Sequence, residues 1–196
     1  MGEIWRSLQW KQQSENGIQF WYLFDWKDGD LICSKMVSML KQKKLTLDSL
    51  LFLMSIFPIQ KKELLDFVVQ ASPPKNINEL DHASILAKAL CRKYDLNEIQ
   101  YIQRPEGSQE QKLRNKWERR KKAFQRLENS APGKAIFFVD DVVTTGATLA
   151  AAKHALGDPE EFIALSLFYR NKGLSVHKAP GSLRKKSTKL ASFEDK

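Results

Sequence analysis

Residues 136–148 read I-F-F-V-D-D-V-V-T-T-G-A-T. A predicted strand over residues 134–139 runs into two adjacent carboxylates, Asp140 and Asp141. A short hydroxyl-rich loop follows, Thr144, Thr145, Gly146, Ala147 and Thr148, and then an alanine-rich helical stretch over residues 147–156. That order describes a buried strand, a ligand loop and a helix start. Open α/β sheets bind ligands beyond the carboxyl ends of their strands. A helix start presents unpaired amides and the positive end of its dipole, which suits a phosphate. Carboxylates accept hydrogen bonds from hydroxyls, glycine lets the backbone approach a ligand, and threonine hydroxyls donate to phosphate oxygens. Paired acids also occur as helix caps, and T-x-x-x-T as ordinary turn chemistry. The reading therefore depends on finding strand, loop and helix in that order. The chain contains neither G-x-x-x-x-G-K-[ST] nor G-x-G-x-x-G, which removes the P-loop and the dinucleotide fingerprint.

Outward from this segment, helical and strand patterns alternate. Residues 18–26 are aromatic-rich and read as a strand or hairpin arm. Ile32, Met36, Met39 and Leu40 have helical spacing within residues 30–43, and residues 45–57 read as a second helical segment with Thr46 or Asp48 near its start. Residues 64–71 read as a buried strand stopped by Ser72-Pro73-Pro74. A helix is predicted over residues 81–94 with Asp81 as its N-cap, then a short strand over 99–103. Residues 162–169 form the last strand. Strands alternating with helices imply an α/β fold with a mostly parallel central sheet flanked by helices. Three regions result: an N-terminal segment at 1–60, a core at 61–170 with a polar, basic insertion at 104–130, and a basic tail at 171–196 with little to bury, expected to be disordered. Leu113, Trp117, Phe124 and Leu127 fall at near-helical spacing in the insertion, so part of it reads as an amphipathic helix.

The 196 residues suffice for one α/β domain, with 42% hydrophobic and 28% charged content typical of a globular chain. No signal peptide is read at the start, and the longest apolar run, residues 50–59, is too short to span a bilayer. Cys33 and Cys91 lack metal-ligand spacing and read as buried free thiols, consistent with a cytoplasmic protein. The net charge of +9 is uneven: residues 112–126 hold eight basic residues and one acid, and residues 171–196 hold seven basic and two acidic. Either block is a candidate for polyphosphate or nucleic acid, or is a solvated surface. Trp117 lies among the candidate nucleic-acid contacts Lys116, Arg119, Arg120, Lys121 and Lys122; the other tryptophans, Trp5, Trp10, Trp21 and Trp26, read as burial. Of the three histidines, His154 reads as solvent-facing and His82 as a lesser candidate for the site; His177 lies in the tail.

The central segment resembles the 5-phosphoribosyl-1-pyrophosphate (PRPP) motif of type I phosphoribosyltransferases. The resemblance implies that Asp140 and Asp141 hold ribose hydroxyls and act at the catalytic centre, and that Thr144 to Thr148 grip the 5′-phosphate. Several pieces are similar to ComF-type competence proteins: F-D-W-K-D-G-D-L-I-C-S-K-M-V-S-M-L-K at 24–41, I-L-A-K-A-L at 85–90, and R-P-E-G-S-Q at 104–109. The Cys-rich zinc ribbon usual in that family is absent, and Asn78-Glu79-Leu80-Asp81-His82 stands where it carries R-G-F-N-Q. The resemblance implies a type I phosphoribosyltransferase-like fold whose basic insertion forms a lid. It also implies displacement of pyrophosphate from PRPP by a base, with Mg²⁺ held through the ligand rather than directly by protein. Lys75 and Arg104 are then the candidate pyrophosphate cations. The family's link with DNA uptake makes single-stranded DNA and a protein of the competence machinery further candidate partners. A non-catalytic binding module on the same fold is the alternative. Enzymes for 6-oxopurines carry an acid where Thr144 stands, which disfavours hypoxanthine or guanine as acceptor.

Overall fold

The computed structural model describes residues 9–27, 29–42, 46–74, 81–105, 124–127 and 135–170. The order is β1 (Lys11–Glu15), β2 (Ile18–Asp25), α1 (Leu31–Lys41), α2 (Leu47–Ser55), a 3-10 turn (Lys61–Leu64), β3 (Phe67–Ala71) and α3 (His82–Tyr94), followed by β4 (Asn97–Ile99), β5 (Ile102–Gln103), β6 (Gln125–Arg126), β7 (Ala135–Val143), α4 (Ala147–Ala155) and β8 (Glu161–Tyr169). Six strands form one sheet in the order β1-β2-β8-β7-β3-β4. Only the β1–β2 pair is antiparallel; the other neighbours are parallel. This is the expected α/β architecture with a mostly parallel sheet.

Central strands in such a sheet are covered on both faces and read as continuous apolar runs. Accordingly Ile136, Phe137, Phe138 and Val139 are fully buried. Phe137 and Val139 face a core shared with α1, α2 and α3. Ile136 and Phe138 face a second core containing Leu149 and Ala152 of α4. Trp21, Trp10, Tyr94 and Phe137 all pack around Phe57 with ring centroids 5.0–6.2 Å apart, so the aromatic-rich N-terminal segment supplies core.

Local chemistry sets the helix starts. Thr46 Oγ1 accepts from Ser49 N at 3.2 Å, and Asp81 Oδ1 accepts from Ser84 N at 3.0 Å, the expected N-cap. Asp30 Oδ1 likewise accepts from Ile32 N and Cys33 N, both at 3.0 Å. On α1 the buried stripe is Cys33 and Val37, while Ile32 is 68% exposed. The sequence supports two neighbouring stripes of helical spacing, and packing against α2 and the sheet selects the one that excludes Ile32.

The strand expected over 99–103 is divided. Ile99 ends β4 in the main sheet, and Tyr101 N turns to donate to the buried Gln70 side chain, Oε1, at 2.7 Å. β5 then pairs antiparallel with β6, and Leu127 N donates to Tyr101 O at 2.9 Å. This two-stranded ribbon joins the two ends of the insertion. Phe124 is buried and leads directly into β6 rather than continuing a helix. Residues 106–123 and 171–196 lie outside the described residues, and with them the lid, Leu113, Trp117 and the tail. Among the described residues no helix is long and apolar enough to cross a membrane.

Candidate functional site

The chain leaves β3 and β7 in opposite directions. After β3 it passes through α3 to β4; after β7 it passes through α4 to β8, on the other side. The two helices cover opposite faces of the sheet. The carboxyl ends of the adjacent strands β3 and β7 therefore flank a topological switch point, where open α/β sheets receive ligands. Ser72 N donates to Val139 O at 2.7 Å and holds the two strand ends together.

Asp140 and Asp141 lie within the last four residues of β7, since the strand continues past them to Val143. The sequence places its end at residue 139 because two charges interrupt the apolar run; backbone pairing with β8 carries it on through Asp140, Val142 and Val143. Side-chain alternation slips at the acids. Phe137 and Val139 point to the α3 side and Phe138 to the α4 side, yet Val142 is on the α3 side and Val143 on the α4 side. Strict alternation would reverse the last two. β8 slips in step, with both Leu167 and Phe168 on the α3 side. Between the strands, Ser166 Oγ lies 2.9 Å from the carbonyl oxygens of both Asp141 and Phe168. The single proton of this hydroxyl goes to one of the two carbonyls or is shared between them.

Asp140 is 7% exposed, and Asp141 is only half-buried. Burial pushes the Asp140 carboxyl up to about 8, and the Asp141 charge beside it adds to the rise. The Asp141 amide, which donates to Asp140 Oδ1 at 3.1 Å, and the Arg104 guanidinium work in the opposite direction, while Asp81 raises it further. Arg104 and Asp81 thus lie within electrostatic reach of Asp140. Arg104 is fixed at the root of the insertion: its Nε donates to Pro73 O at 2.8 Å, and its guanidinium stands 5.0 Å from the centre of the Phe124 ring. The end of β7, the segment after β3, the start of α3 and Arg104 thereby share one edge.

Thr144, Thr145 and Gly146 form the turn into α4. Gly146 is the N-cap, with φ 63° and no side-chain capping bond. Ala147 and Thr148, the first residues of α4, thus start a helix whose leading amides receive no side-chain cap from that position. Thr144 and Thr148 are partly exposed and Thr145 is exposed. The turn is braced from one side: Asn16 Nδ2 donates to Thr145 O at 2.9 Å. A Cβ on Gly146 would meet Glu15 Cβ at 2.8 Å. Sequence reading missed this brace, although Asn16-Gly17 is the dipeptide that marks a two-residue hairpin turn.

Of the other candidates, Lys75, Lys116, Arg119, Arg120, Lys121 and Lys122 lie outside the described residues. His154 has a side chain 78% exposed, 3.7 Å from Asp158, as expected of a surface histidine. His82 opens α3, and its buried Nδ1 has no hydrogen-bond partner among the described residues. Burial raises the Cys33 thiol to about 11 and the Cys91 thiol to about 12, so neither is a thiolate nucleophile at neutral pH. No group of three or more His, Cys, Asp or Glu among the described residues could hold a metal ion.

No family model matches the chain, and no curated protein matches it.

Proposed function

We propose that this protein binds PRPP or a related ribose 5-phosphate at the β7–α4 edge, through a type I phosphoribosyltransferase-like site of ComF type. The observation that carries the reading is the conjunction on one strand end: a carboxylate pair with one member buried and the other half-buried, then a glycine turn, then an uncapped helix start. Asp140 and Asp141 would accept hydrogen bonds from the two ribose hydroxyls. The amides of Gly146, Ala147 and Thr148, with the Thr144, Thr145 and Thr148 hydroxyls, would receive the 5′-phosphate. Arg104, held beside the segment after β3, is a described cation suited to a departing pyrophosphate; Lys75, the second candidate, lies outside the described residues.

Mg²⁺ fits this donor set in one manner. Two adjacent carboxylates supply hard oxygen atoms but do not make a cage, so the ion would be held largely by phosphate oxygens, hydroxyls and water. When bound, it neutralises charge on the leaving pyrophosphate. The chain's own part is positioning and electrostatics. Transfer would break the C1–O bond to pyrophosphate, which leaves with the electron pair, and a base nitrogen would form the new bond to C1 and lose its proton to pyrophosphate or water. The half-buried Thr144 offers no carboxylate to a base, which argues against a 6-oxopurine acceptor.

Calorimetric titration with PRPP and Mg²⁺ tests the reading. Saturable binding by the wild type that disappears in Asp140→Asn/Asp141→Asn supports it; binding that survives the double change unaltered refutes it.

A further inference from the structure

We infer that the Glu15–Asn16 turn is part of the phosphate site, and that Asn16 is a positioning residue that aims the Gly146 amide at the ligand. This rests on the reading of Thr144 to Thr148 as a phosphate loop.

The turn has a defined shape. Glu15 pairs with Ile18 across a two-residue connection, and Asn16 and Gly17 have φ of 54° and 74°. Both are left-handed, as the favoured hairpin turn requires, and asparagine and glycine are the residues that tolerate this. The tip reaches far along the sequence to touch the β7–α4 turn: Asn16 Nδ2 donates to Thr145 O at 2.9 Å. A second contact fixes the approach from the other side. Tyr169, the last residue of β8, donates its hydroxyl to Glu15 Oε1 at 2.5 Å, and Tyr169 pairs in register with Val143 at the end of β7. The hairpin tip is thus latched to the strand beside the loop as well as to the loop itself.

The consequence follows from peptide geometry. The Thr145–Gly146 peptide is trans, so its C=O and N–H point in opposite directions. Holding the Thr145 carbonyl toward Asn16 turns the Gly146 N–H away from the hairpin. It also keeps a carbonyl oxygen, which would repel an anion, off the ligand side of the helix start. The Tyr169 hydroxyl draws the Glu15 carboxylate toward β8. Gly146 is required for the same contact, since the hairpin occupies the space of a side chain.

Asn16→Gly separates this role from turn formation, because glycine accepts the left-handed backbone but offers no donor. Ribose 5-phosphate is titrated into the wild type and Asn16→Gly, with amide exchange followed at Gly146 and urea unfolding as a control. The expected result is about five- to tenfold weaker binding, the worth of one positioned hydrogen bond, with faster exchange at Gly146 and a nearly unchanged unfolding midpoint. Asn16→Asp, which sets a carboxylate against the Thr145 carbonyl, should weaken binding at least as much. Equal binding by wild type and both variants overturns the inference and leaves the proposed function standing. A wild type that binds neither ribose 5-phosphate nor PRPP with Mg²⁺ overturns both.

Discussion

Asp140 is a carboxyl whose burial and neighbour both favour the protonated form, and this has consequences for stability and for binding. Its folded pKa, about 8, lies above the ordinary carboxylate value. Between those values the folded state holds a proton that the unfolded chain gives up, so stability from this site falls as pH rises through the window. Asp140→Asn should therefore unfold like the wild type near pH 4 and be more stable than it near pH 8, as read from urea midpoints at the two pH values. A wild type whose stability rises over the same range relative to Asp140→Asn would contradict the burial argument. A sugar with Mg²⁺ would favour the charged form, so binding near pH 7 should release a proton; calorimetry in two buffers of different ionisation enthalpy would then give different apparent enthalpies. At Gly146 the constraint is steric. Gly146→Ala adds a Cβ at φ 63°, 2.8 Å from Glu15 Cβ. Strain and overpacking together should destabilise the fold by about 2–4 kcal/mol, while Ala147→Gly, one residue later, should cost about 1 kcal/mol or less. The identities of both residues were legible in the sequence. The depth of Asp140 was not, because burial of an acid depends on how β8 and the segment after β3 close around it.

At the scale of elements, the β7–β8 pair shows how a regular ladder is bent to its purpose. The apolar run at 136–139 marks the strand, but nothing in the local pattern shows that pairing continues through two aspartates, since that pairing is supplied by residues 161–169. Ser166 is the device that permits it: it is fully buried between two carbonyls. Ser166→Ala should lower stability by about 1–3 kcal/mol, the cost of a buried acceptor without its donor, and weaken ligand binding by shifting the Asp141 backbone. A variant as stable as the wild type would show that the slip needs no such staple. β1 was illegible for a different reason. K-Q-Q-S-E has no apolar alternation, because four of its five residues are exposed on the edge of the sheet; only Asn16-Gly17 announces that a strand precedes β2. Conversely, Asp81 and Thr46 were readable as caps because a cap is decided within one turn of helix.

On the scale of the whole molecule, two kinds of charge sit in different places along the chain. The acids at 140 and 141 are central and buried or half-buried, whereas residues 112–126 carry eight basic residues against one acid on an excursion whose ends are joined by the β5–β6 ribbon. The proposed sugar recognition at the strand ends and any phosphate attraction by the basic residues would be separable, because the first would depend on short hydrogen bonds and the second on counterion release. Neutralising Lys116, Arg119, Arg120, Lys121 and Lys122 to glutamine should thus leave ribose 5-phosphate affinity within about twofold, as expected of a site that draws its specificity from hydrogen bonds. Any affinity for single-stranded DNA should respond differently. Its logarithm should fall steeply with that of salt concentration in the wild type, and the slope should flatten by about 0.7 for each phosphate the variant no longer neutralises. Fluorescence anisotropy with a labelled oligonucleotide across a salt series gives the slope, and calorimetry on the same preparations gives the sugar-phosphate affinity. If the five substitutions abolish ribose 5-phosphate binding while the slope is unchanged, the basic excursion belongs to the small-molecule site and the DNA-binding alternative loses its basis. If they flatten the slope alone, the chain carries two independent anion-binding regions, one built by the fold and one by composition.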